Sequence, residues 1–255
     1  MSWNPFSRHA GSKKIVVSRH SEREIEREVK RLDELEEASR KLYKDGRRLC
    51  EANNAVGKAE HKLVQGVLSS GLCVEVEGLQ HDLETWEGAL EDIQRNRQEM
   101  NANIQKTMVE PMKKFNAVFP GIQTAIKKRE QSLQDYNKKQ ANFNKYQERE
   151  RTGANVVKLD TNRKVLDAAQ RDFENHDSAL RQDLPKFYDG RIDYFKPSFD
   201  ALVRSQLAYN NEAFRAYTEV SSEMFSNSKC SENERRQRIN QTLSEIKALA
   251  ITVDD

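Results

Sequence analysis

From residue 21 onward, apolar side chains recur at helical intervals. Ile25, Val29, Leu32, Leu35, Leu42, Leu49, Val56, Leu63 and Val67 follow at steps of three, four or seven, the period of one helix face. Ser21 with Glu24 three residues later has capping-box spacing, so a first helix is expected over about 21–69. Ser69, Ser70, Gly71 and Gly78 punctuate the chain. A second run, Leu79, Leu83, Trp86, Leu90, Ile93, Met100, Ile104 and Met108, passes Pro111 and Pro120 and resumes at Ile122, Ile126, Leu133, Tyr136, Phe143 and Tyr146. An interior proline deletes a backbone hydrogen bond and clashes with the turn before it. One long helix over about 79–150, bent near both prolines, is therefore expected.

Thr152, Gly153, Ala154 and Asn155 make the next turn. A third run begins at Leu159 and reaches Tyr217, interrupted by Pro185 and Pro197, and predicts a helix over about 155–225. Polar residues 226–233 lead to Ile239, Leu243, Ile246 and Leu249, the stripe of a short last helix. Residues 1–20 hold no sustained period. The expected organisation is an arm (1–20), a three-helix body (21–225), and a linker with a short helix (226–255).

At 1.5 Å per residue the second helix would be on the order of 100 Å long, whereas a compact globule of this length has a radius of gyration of about 18 Å. Apolar stripes so long must be covered along their whole extent, by neighbouring helices or by a second copy. The expected fold is all-α: an elongated antiparallel three-helix coiled-coil bundle with kinked helices that pairs with itself. Leu63, Val67, Leu83, Trp86, Phe195, Phe199 and Leu202 are candidate dimer-interface residues.

Composition narrows the alternatives. Ten Gly and five Pro in 255 residues are about half the usual share, too few for a turn-rich sheet protein. The periodic Leu, Ile, Val and Phe argue against disorder. Cys50, Cys73 and Cys230 are odd in number and far apart, and no signal-peptide pattern opens the chain, so a cytoplasmic protein with buried thiols is expected. No stretch approaches the ~18 apolar residues of a membrane span. Any membrane contact must come from outside.

Charge is unevenly spread. Residues 106–164 carry 14 Lys plus Arg against 6 Asp plus Glu, while 1–105 carry 17 against 19 and 165–255 carry 12 against 16. On a helical projection Ile122, Ile126, Leu133 and Tyr136 share one face. Lys127, Lys138, Lys145 and Arg149 fall on the opposite side, flanked by Lys128 and Lys139. A solvated face is the plain reading, but acids are nearly absent from that row, so i to i+4 pairing does not account for it. It reads as an anion-binding surface. Nucleic acid is disfavoured, because the bases have no zinc spacing, helix-turn-helix or aromatic platform. An anionic lipid surface needs only dispersed bases on a rigid support, each worth about 1 kcal/mol.

His9, His20, His61, His81 and His176 show no metal-ligand spacing, and neither a Gly-rich phosphate loop nor a G-x-S-x-G elbow occurs. No enzyme, catalytic residue, metal, cofactor or small-molecule substrate is expected.

The strings IQKTMVEPMKKF (104–115), KKREQSLQDY (127–136) and LPKFYDGRIDYFKPSF (184–199) place prolines as well as bases. With these, the chain resembles the amphiphysin-type BAR domain. The likeness to BAR-only members runs from MSWNPF at 1–6 to Asp254 and Asp255. It implies a crescent-shaped antiparallel dimer with a six-helix core, or heterodimers with other BAR proteins, whose basic concave face and tips bind curved anionic membranes. Carried onto this sequence, Lys127, Lys128, Lys138 and Lys139 are concave-face bases. Lys145, Arg149, Arg151 and Lys158 are tip bases, with Arg163 and Lys164 contributing. The resemblance also implies actin-regulatory partners, a peripheral location at membranes and cytoskeleton, and roles in endocytosis, actin organisation, cytokinesis and septation. Larger members carry an SH3 domain, and recruitment of Pro-rich ligands through SH3 is not expected here. Two departures matter. Pro5 and Gly11 interrupt the arm, leaving Trp3 and Phe6 as membrane wedges without deep helical insertion, and Glu148 and Glu150 dilute the tip. The alternative is a rod-like cytoskeletal adaptor acting through protein partners.

Overall fold

The computed structural model describes residues 18–73, 76–225, 231–249 and 251, and every regular element among them is helical. Helix α1 spans Arg19–Leu68, α2 Glu77–Ile104, α3 Glu110–Asn116, α4 Phe119–Gln147, α5 Gly153–Phe225 and α6 Glu232–Lys247. The start of α1 corrects the sequence expectation. Ser18, not Ser21, is the cap: its hydroxyl accepts the Ser21 N–H at 3.1 Å. Ser21 is thereby inside the helix, where its own hydroxyl accepts from Arg181.

The second run is divided where one bent helix was expected. A π turn over Gln105–Val109 precedes Pro111, and a break at Ala117 and Val118 precedes Pro120. Both prolines fall in the first turn of the helix that follows, where a missing N–H leaves nothing unsatisfied. Pro185 and Pro197, expected to interrupt the third run, sit inside an unbroken α5. Leu184 is buried beside Pro185 and Phe187 packs on the same cluster. Each such side chain contributes about 2 kcal/mol, so two offset the ~3 kcal/mol an interior proline costs.

The chain forms two compact units. The first comprises residues 1–52 and 101–205. Its core sets Ile25, Val29 and Leu32 of α1 against Phe119 and Ile126 of α4 and Leu180 and Leu184 of α5. Phe115 of α3 is a hub there, with ring centroids 5.4 Å from Phe119, 5.3 Å from Phe187 and 4.8 Å from Phe195. Ser39 and Asn116 tie α1 to the end of α3. The serine hydroxyl donates to Oδ1 at 2.6 Å, and the amide donates back to the serine carbonyl at 3.3 Å. Tyr136 and Phe173 join α4 to α5 in a second cluster.

The second unit comprises residues 53–100 and 206–255. Val64 of α1, Leu83, Leu90 and Ile93 of α2 and Tyr209 of α5 pack together. Arg97 of α2 is 3 % exposed. Its guanidinium donates to Glu60 of α1 at 2.7 Å, to Tyr209 of α5 at 3.2 Å and to Gln94 at 2.8 Å. Burial opposes the charge, but the hydrogen bonds donated to Glu60 and Tyr209 outweigh it and raise the Arg97 pKa above its ordinary value. Gly57 of α1 faces this group so closely that a Cβ would collide with the guanidinium and with Gln94. Helix α6 opens on a full capping box between Ser231 and Glu234 and buries none of its residues.

Gly57→Ala should therefore destabilise the chain. Alanine gains about 1 kcal/mol of helix propensity, yet displacing a buried, paired guanidinium costs about 3 kcal/mol. A urea melt should record a net loss of about 2 kcal/mol.

Candidate functional site

Helix α4 presents its apolar register inward, with Ile126 and Tyr136 buried and Ile122 and Leu133 packed on core clusters. This orientation turns Lys127, Lys128, Lys138 and Lys145 outward, all four exposed. Lys139 is half-buried, with its ammonium 3.7 Å from Asp135 one turn earlier. Local pairing therefore reaches into the flanking row after all.

One base of this basic segment is not on the surface. Arg129 occupies the inward register between Ile126 and Leu133 and is 2 % exposed. It grips Glu22 of α1 through both terminal nitrogens, at 2.5 and 3.1 Å, and Asp177 of α5 through Nε at 2.7 Å. Its guanidinium also stacks over Phe173, 5.3 Å from the ring centre. Burial alone would depress Arg129, but hydrogen bonding and charge from Glu22 and Asp177 raise it. The second oxygen of Asp177 takes Arg181 at 2.7 Å, and Arg181 donates to the Ser21 hydroxyl and carbonyl at 2.6 and 2.9 Å. Beside this network, burial pushes the Glu130 carboxyl up, with Glu22 adding to the rise and Arg129 opposing it. Sequence reasoning counted Arg129 only in the charge of the basic segment and gave it no role, although its spacing from Ile126 and Leu133 matches the inward face.

Between α4 and α5, residues 148–152 make a short turn. Thr152 closes it: its carbonyl accepts Val156 N–H at 3.0 Å and its hydroxyl accepts Asn155 N–H at 3.4 Å. Arg149 lies over Tyr146, 4.8 Å from the ring centre. Arg151, Lys158, Arg163 and Lys164 are exposed, and Lys164 pairs with Asp160 at 2.9 Å. A cavity of about 360 Å³ opens at this turn.

The candidate dimer residues scatter. Leu83 is buried, and Val67 and Trp86 pack on the same core, all within the second unit. Phe195 packs on the first unit's core and Leu202 is half-buried. Leu63 and Phe199 are exposed, at 57 % and 40 %. Val203, Leu207 and Phe214 of α5 are also exposed. The sequence reading left them off the interface, although they continue the spacing of Phe199. Trp3 and Phe6 lie outside the described residues, as does Cys230. Cys73 is buried, and burial, the leading influence on Cys50, raises its thiol pKa. Among the described residues no cluster of metal-ligating side chains occurs and no helix is long and apolar enough to cross a membrane.

Comparison with known proteins places these features. The BAR domain family matches residues 7–226. The chain is 38 % identical to "Bridging integrator 3" of Mus musculus over 256 aligned positions, covering 100 % of both chains. It is 22 % identical to a Candida albicans regulator of cytoskeleton and endocytosis, covering 86 % of each. Among solved structures it is similar to the amphiphysin BAR domain from Drosophila, with TM-score 0.69 and 18 % identity, over 88 % of this chain and 100 % of that one.

Two outcomes follow from the buried network. Arg129→Ala should cost about 3 kcal/mol in a chemical melt, because it orphans the Glu22 carboxylate and leaves Asp177 with Arg181 as its remaining arginine, while Lys138→Ala should stay within about 0.5 kcal/mol. Glu130→Gln should stabilise the chain near pH 7. A carboxyl whose pKa is raised on folding contributes stability at acidic pH that is lost as pH rises through the folded value. The advantage of the glutamine should therefore fade as the pH is lowered toward 4, in thermal melts across that range.

Proposed function

The chain belongs to the BAR domain family, and from that premise we propose that it dimerises and scaffolds curved anionic membranes through the outward face of α4 and the α4–α5 turn. BAR domains form helical dimers and bind membranes. The observation that carries the proposal for this chain is the exposed row Lys127, Lys128, Lys138 and Lys145, set opposite a buried apolar face on a helix fixed by Arg129. Arg149, Arg151, Lys158, Arg163 and Lys164 extend the row to the turn, and Lys139 lies at its edge.

The binding module is residues 21–225. In the arm, Trp3 and Phe6 wedge at the lipid interface, and residues 226–255 follow the module. Leu63 and Phe199 supply exposed apolar surface to the dimer, with Leu202 at its margin. The packing of Val67, Leu83, Trp86 and Phe195 inside their units makes them supports for that surface. The names of related fungal proteins support a role joining membrane shape to endocytosis and the cytoskeleton, with cytokinesis and septation as its expected settings.

Each base near an anionic surface is worth about 1 kcal/mol, and a dimer presents every base twice. Lys138→Glu, Lys145→Glu and Arg149→Glu combined should abolish sedimentation with anionic vesicles while leaving the dimer and its helical content intact. Wild-type binding should weaken as added salt shortens the screening length. A triple variant that sediments as the parent does would transfer the function to protein partners and the adaptor reading.

A further inference from the structure

Three of the chain's serines and threonines have an arginine at the third position before them: Ser132, Thr152 and Thr218. Ser132 is 7 % exposed inside α4, and its hydroxyl donates to the Arg129 carbonyl at 2.8 Å. Thr218 lies inside α5 and donates to the Phe214 carbonyl at 2.7 Å. Of the three, only Thr152 stands outside a helix, and it has a second arginine directly before it, in the run Arg149, Glu150, Arg151, Thr152. We propose that Thr152 is a phosphorylation site for an arginine-directed protein kinase, and that the phosphate weakens the hold of the α4–α5 turn on anionic membranes. The switch rests on the membrane reading above.

Access and recognition agree at this position. Residues 147–154 are all exposed, and 148–152 belong to neither helix, so the stretch before the hydroxyl can lie extended in a kinase cleft. Gly153 follows, and a glycine at the start of α5 lowers the cost of opening its first turn. The cap on that turn is long, with the Asn155 N–H 3.4 Å from the Thr152 hydroxyl. An acidic substrate groove selects its targets by charge pattern and reads guanidinium forks in pairs, and Arg149 and Arg151 are both exposed to it. In the transfer, Thr152 Oγ1 attacks the γ-phosphorus of a nucleoside triphosphate. The new O–P bond forms as the bond to the diphosphate leaving group breaks, and the hydroxyl proton passes to the kinase's aspartate.

The product changes the sign of the turn. The cavity there is lined by Arg149, Arg151 and Arg163 against Glu150 and Asp160, a small positive excess that the roughly two negative charges of a phosphate reverse. A phosphate at the N-terminus of α5 also favours the helix that begins there and occupies neighbouring guanidinium forks. Attraction to an anionic surface is thereby lost without loss of folded structure.

The test treats the full chain with the catalytic subunit of cyclic-AMP-dependent protein kinase, ATP and Mg²⁺, maps phosphate by mass spectrometry and measures sedimentation with phosphatidylserine vesicles. Phosphate should appear on Thr152. The modified chain should then need at least about tenfold more lipid for half-binding, with helical content and dimer unchanged. Thr152→Asn keeps a capping side chain but has no hydroxyl to modify, and should bind like the untreated parent before and after the kinase. A Thr152 that takes no phosphate overturns the site. Modified chain that binds as tightly as untreated chain overturns the switch and leaves the membrane reading standing. Binding lost equally from the treated asparagine variant overturns the assignment of the switch to Thr152. An untreated parent that ignores the vesicles overturns the membrane reading and the switch together.

Discussion

A buried guanidinium needs a partner, and this requirement fixes how the long helices align. Arg129 sits on the inner face of α4, where an unpaired cation would cost several kcal/mol. Glu22 at the start of α1 and Asp177 in α5 must both arrive at one level along α4. Apolar stripes cannot impose this, because a helix slid by one heptad still buries leucine against leucine. The second unit repeats the device with different residues. Arg97 of α2 meets Glu60 of α1 and Tyr209 of α5, and Gly57 clears the space it occupies. In each unit an arginine takes a carboxylate from α1 and stacks over an aromatic ring of α5.

Within the first unit, aromatic packing sets the direction in which α4 leaves α3. The break at Ala117 and Val118 falls between Phe115 and Phe119, whose rings meet edge to face at 5.4 Å. Phe187 of α5 stacks on the first ring and meets the second edge-on. A helix break held on both sides by buried rings is a fixed corner, and the lysine row downstream inherits its orientation. Pro120 helps only by fitting the first turn of α4 without an orphaned donor.

The helical class, the three long apolar runs and the basic segment were legible in the sequence because each follows from spacing or a count. What escaped depends on which residue a neighbour claims. Ser18 and Ser21 both suit a cap, and Ser21 is excluded because Arg181 draws it into the α1–α5 junction. Arg129 counts as a base like its neighbours until its inward position is weighed above its charge. Pro185 would break an isolated helix but not one whose neighbours Leu184 and Phe187 pack on the core. The start of α6 was readable, since Ser231 and Glu234 carry the same capping spacing that drew attention to Ser21.

A row of like charges would be expected to oppose folding, and its spacing explains why it need not. Lys138 and Lys145 are seven residues apart, on the order of 10 Å along the axis, comparable with the screening length of about 8 Å at physiological ionic strength. Mutual repulsion in solution is therefore weak. It is also small beside the burial of Ile126, Tyr136 and the paired Arg129 on the opposite face. An extended anionic surface, by contrast, meets all of these charges at once, so contributions too dilute to disturb the fold add up in binding. Stability comes from the inner face and, in the proposed function, attraction from the outer one, which lets the outer face change its bases without unsettling the helix that carries them.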